Sequence, residues 1–89
     1  MGILPIELRR RLNFENLKED VDSLIYDWDI CEYFDNHSDF ISEVCDLIKD
    51  RLLEDVGIPV SAKSRDSLYW FLINSLEKYL YKIYRNCVK

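Results

Sequence analysis

The residues with the strongest intrinsic chemistry are the single histidine, His37, and three cysteines, Cys31, Cys45 and Cys87. A cysteine nucleophile needs an imidazole within hydrogen-bonding reach and a third group to orient it. Cys31 lies six residues before His37 and Cys45 eight after it, and both cysteines fall on expected helices while His37 falls in an expected turn. Cys45 belongs to an apolar stripe, where cysteine acts as a small hydrophobe. A Cys3His zinc site has the right composition but lacks the tight paired spacing that wraps a short loop round a tetrahedral ion. Asp27, Asp29 and Glu32 could offer oxygen ligands to a divalent ion, but no central glycine or longer ligand run accompanies them. The sequence also has no phosphate-cradling glycine loop and no nucleophile-elbow motif. The expectation is a non-enzymatic protein with no catalytic residue, no metal and no cofactor.

The elements that would position any functional residue are helices. Only two glycines and two prolines punctuate 89 residues, which leaves little room for hairpins or bulges. Pro5 suits the first position of a short helix over about 5–12. Asn13 can cap a second helix over about 14–30, with Phe14, Leu17, Val21, Leu24, Ile25 and Trp28 on one face. Ile30, Tyr33 and Phe34 leave that stripe, so an end or kink is expected after Asp29. Residues 35–38 read as a turn, with Ser38 the expected cap of a helix over about 39–56. Gly57 and Pro59 then stop that helix. Ser61 or Ser64 opens the last helix, over about 64–87. Its main stripe is Leu68, Leu72, Leu76, Tyr79, Leu80, Ile83 and Cys87; a second, displaced stripe carries Trp70, Ile73, Tyr81 and Tyr84. The expected fold is all-α, a compact bundle of three main helices plus a short N-terminal one, in a single domain. Its expected core is Leu17, Val21, Leu24 and Trp28 with Ile41, Val44, Ile48, Leu52, Leu72, Leu76, Leu80 and Ile83.

Charge is blocked along the chain. Residues 1–14 carry +2, residues 15–55 carry −11 and residues 56–89 carry +4, within a net charge of −5. No lysine or arginine occurs from Glu19 to Ile48. Such a middle attracts a basic surface and repels nucleic acid. Glu15, Glu19, Asp22, Asp27, Glu43, Asp46 and Asp50 lie outside the apolar stripes and form the expected partner-binding face. Antiparallel packing of the two helices would merge them into one negative surface; the plainer role of such acids is to keep a small protein soluble. Basic residues interleave with aromatics on the last helix, as single-strand binders do. The simpler account is that they face the acidic helices, and direct nucleic-acid binding is not expected.

The stretch Ser61–Leu72 resembles the start of the last helix of KIX domains, three-helix coactivator modules that bind amphipathic activation segments. The resemblance rests on Ser61, Ala62, Ser64, Arg65, Asp66, Tyr69 and Leu72 and covers twelve of 89 residues. Tyr81-Lys82-Ile83 falls one turn late for that pattern, and the first half of the chain has no counterpart. The resemblance implies one alternative function, a helical adaptor that takes a partner's amphipathic helix in an apolar groove.

The leading expectation is a small inhibitor, of the immunity or anti-defence type, whose acidic face docks on a basic protein partner. The second stripe of the last helix is the candidate oligomer face, through a homodimer, unless the N-terminal segment folds back over it. No apolar run is long enough to span a membrane, and the N-terminal residues lack the apolar run of a secretory signal. With an odd cysteine count, this leads to an expectation of reduced thiols, no disulfide and a cytoplasmic location.

Overall fold

The computed structural model describes residues 6–57 and 60–87. These form five helices: α1 (Ile6–Arg10), α2 (Phe14–Ile25), α3 (Ile30–Tyr33), α4 (His37–Val56) and α5 (Ala62–Arg85). There is no strand among the described residues, so the class is all-α, with three substantial helices. Pro5 and Pro59, read from sequence as a helix start and a helix stop, lie outside the described residues.

Local chemistry sets the helix ends. The Asn13 side chain accepts from the Asn16 N–H at 2.9 Å and opens α2. Asn36, rather than Ser38, caps α4: its side-chain oxygen accepts from the Asp39 N–H at 2.9 Å, and its amide donates to the Asp39 carboxylate at 3.2 Å. The helix therefore begins at His37, two residues before the expected start. Gly57 closes it with φ 68°, its N–H donating to the Leu53 carbonyl at 3.1 Å. Ser61 caps α5 by accepting from the Ser64 N–H at 3.2 Å, which places the helix over Ala62–Arg85 rather than 64–87. The first helix likewise ends at Arg10, short of residue 12.

The larger correction concerns the second helix. The expected 14–30 element stops at Ile25, and a separate short helix, α3, follows. The Trp28 N–H bonds back to the Ile25 carbonyl at 3.0 Å as the chain turns. Beyond Trp28 the apolar phase no longer matches the Leu17–Val21–Ile25 stripe. A continued helix would carry Ile30 and Phe34 away from the core they pack against.

α5 lies along α4, and α2 packs against both. At 24 residues α5 is about 36 Å long, which accounts for most of the 42 Å long axis. The core is Leu8, Leu17, Val21, Ile25, Phe40, Ile41, Val44, Cys45, Ile48, Leu52, Leu68, Leu72, Leu76 and Leu80. Of the expected core, Leu24, Trp28 and Ile83 are only partly buried. Phe40 and Leu8 are fully buried. Neither was in the expected core: Phe40 precedes the stripe by one residue, and Leu8 lies in a segment too short to show a period. Arg11, just after α1, bonds Asp55 of α4 at 2.9 Å and lies 4.0 Å from Asp20 of α2.

Two cysteines overturn the reduced-thiol expectation. Cys31 of α3 and Cys87 beyond α5 form a disulfide, with Cα atoms 5.3 Å apart. Only Cys45 is free, and it is buried. The odd count left one cysteine over, but the two that join are 56 residues apart, a pairing no spacing rule reveals. Disulfides persist in oxidising compartments, so the cysteines no longer support a cytoplasmic location. No described helix is long and apolar enough to cross a membrane.

Candidate docking surface

The acidic residues singled out from sequence divide among four places. Glu15 and Glu19 are exposed on α2, and no ion pair joins them to another described residue. Asp22 lies at the α2–α5 seam and accepts a hydrogen bond from the Tyr79 hydroxyl. Burial first, then that carboxylate, push the Tyr79 phenol up to about 12. Phe14 meets the same ring edge-on at 6.1 Å, and the Lys18 ammonium sits 5.5 Å from its centre. Asp22 is therefore engaged within the fold.

On α4, Asp46 and Asp50 both reach Lys49, at 2.7 and 3.6 Å. The hydrogen bond that the Lys49 ammonium donates to Asp46 leads the effects that hold the Lys49 pKa above its usual value. Asp39, Glu43, Asp46, Asp50 and Glu54 recur at three- and four-residue steps along the side of α4 away from its buried residues. That ridge carries more negative charge than Lys49 offsets.

Asp27 and Glu43 are brought together. Both line an open cleft of about 560 Å³, with Trp28, Tyr33, Phe34 and Leu47. The cleft is built where α2 ends, α3 crosses and α4 passes. Trp28 and Phe34 have ring centres 6.1 Å apart and planes 33° apart, and Tyr33 lies 6.3 Å from Phe34. Phe34 is fixed from behind: it meets the buried Phe40 ring at 5.4 Å, and its carbonyl accepts from the Tyr84 hydroxyl at 2.8 Å. The Cys31–Cys87 disulfide also anchors α3. Tyr33 and Phe34 were read from sequence only as a break in phase; no sequence signal placed them opposite Glu43.

The second stripe of α5 does not form one face. Ile73 and Tyr84 pack against the core, whereas Trp70 is 61% exposed and Tyr81 43%. These two exposed rings are eleven residues apart, about 16 Å along the helix. Trp70 meets Tyr69 edge-on at 5.3 Å, and Tyr81 meets His37 edge-on at 4.9 Å. Of the N-terminal segment that could fold back over Trp70, Ile3 and Leu4 lie outside the described residues, and α1, which holds Ile6 and Leu8, packs on α4. His37 is exposed at the start of α4, and Cys45 is buried with its thiol pushed up to about 12. Among the described residues, no group of three His, Cys, Asp or Glu side chains is placed to hold a metal ion.

No protein-family model, curated protein or solved structure matches this chain.

Proposed function

We propose that this chain is a non-enzymatic binding protein whose acidic face docks on a basic protein partner, acting as a small inhibitor of that partner. The observation that carries this reading is the acidic ridge of α4, continuous with the Asp27–Glu43 cleft. Negative charge runs along the outer side of α4 and into the cleft, where only Lys49 pairs with it among the described residues. Crowded like charges cost folding stability. A basic partner relieves that cost on binding, and opposed charge speeds the encounter. The exposed carboxylates also repel the phosphates of nucleic acid, so the partner is a protein.

Capture from lysate on the immobilised chain tests this. The bound proteins should be basic and should be lost at about 1 M salt, where the screening length is about 3 Å. Retention at high salt would favour the second reading, an adaptor that binds an amphipathic helix through apolar surface. That reading draws on the exposed Trp70 and Phe71 of α5, 61% and 41% accessible.

A further inference from the structure

We propose that the cleft between α3 and α4 is a pocket for an arginine side chain presented by the basic partner. Three aromatic residues, Trp28, Tyr33 and Phe34, line it together with the aliphatic Leu47 and two carboxylates, Asp27 and Glu43. An aromatic wall alone would suit any apolar side chain. Two carboxylates in the same cleft change the chemistry, because an apolar occupant would strip water from both without replacing its hydrogen bonds. Neither Asp27 nor Glu43 is in an ion pair with another described residue, so both charges are available to an incoming cation.

A guanidinium meets each feature. It is planar and weakly hydrated, it stacks on aromatic faces, and its fork of N–H donors matches carboxylate oxygens. The Trp28 and Phe34 rings, which both line the cleft, have planes 33° apart and offer aromatic surface for that stacking. A lysine ammonium would gain the cation–π attraction but has no planar fork to match two carboxylates. The wall is also preorganised: Phe40 and the Tyr84 hydroxyl hold Phe34, and the disulfide holds α3, so little is lost in ordering it on binding.

The pocket rests on the acidic-docking reading for the source of the arginine, but it can be tested without the partner. Trp28 and Trp70 are the only tryptophans, so Trp70→Phe leaves Trp28 as the single indole reporter. Nα-acetyl-arginine amide is titrated against this variant and followed by Trp28 fluorescence and by the indole N–H resonance. Its neutral citrulline counterpart and the lysine derivative serve as comparisons. The expected result is a saturable Trp28 response to the arginine probe in the millimolar range. Binding should weaken at least tenfold for citrulline and at least threefold for lysine. Glu43→Gln, an exposed and isosteric change, should weaken it at least fivefold with an unchanged far-UV spectrum. Equal responses to arginine and citrulline, or no saturable response, would overturn the pocket. Either result would leave the salt-dependent capture as it stands, so failure of the pocket and failure of the docking reading are distinguishable.

Discussion

Tyr79 makes the sharpest single-residue prediction. Its phenol is pushed above its ordinary value of 10.0 to about 12 by burial and by the Asp22 carboxylate. The folded state therefore holds this proton more tightly than the unfolded state. The stability it supplies is intact below pH 10 and is lost as pH rises toward 12. In an alkaline absorbance titration, one of the six tyrosines should ionise late, and Tyr79→Phe should remove that late step. A late step that survives Tyr79→Phe would show that Tyr79 is not the late group. Asp22 is then a poor site for charge reversal, because Asp22→Lys breaks an internal bond as well as changing the surface. At Gly57 the left-handed backbone, φ 68°, has open space around it. Gly57→Ala should cost about 1–2 kcal/mol from backbone strain alone, measured by denaturant unfolding. In the core, Leu76→Ala should cost about 2–5 kcal/mol by the same measurement; a change under about 0.5 kcal/mol is what a surface site gives.

At the scale of elements, the long helices were legible and the short one was not. α4 and α5 announce themselves through period: Ile41, Val44, Ile48 and Leu52, then Leu68, Leu72, Leu76 and Leu80, each occur every three or four residues and are all buried. Asn13, Gly57 and Ser61 act at the termini through local hydrogen bonds that sequence spacing encodes. α3 has no such signature. Its four residues include none that is buried, and it is held by long-range contacts: the Cys31–Cys87 bond and the Tyr84–Phe34 hydrogen bond. The candidate cleft depends on that element, which is why Asp27 and Glu43 could be chosen from sequence but their aromatic neighbours could not. Closing a loop of 56 residues by a disulfide is worth about 4 kcal/mol on a chain-entropy basis. Cys31→Ser should therefore lower stability by about 2–4 kcal/mol, and α3 amides should lose hydrogen-exchange protection before those of α4 and α5. Without reductant, thiol counting should find one reactive cysteine, and only after unfolding, because Cys45 is buried. Three thiols in unreduced protein would contradict the pairing.

For the whole molecule, the account turns on how charge is distributed over a bundle with extents of 42 × 21 × 18 Å. The basic residues of α5 do not cancel the acids of the middle segment one by one. Among the described residues, the ion pairs use Arg11 and Lys49, neither of which lies on α5. The outer ridge of α4 and the neighbouring cleft keep their negative field, while Trp70 and Tyr81 expose separate rings on α5. The acidic side and these aromatic sites are thus rival docking surfaces that substitution can separate. The most direct measurement is capture from lysate at physiological salt, comparing wild type with two variants. One reverses exposed acids on two helices, Glu19→Lys with Glu43→Lys; the other removes the exposed indole, Trp70→Ala. The account predicts that the charge reversal releases the bound basic protein while Trp70→Ala retains it. Retention by the charge-reversed protein, with loss on Trp70→Ala, would contradict docking through the acidic face.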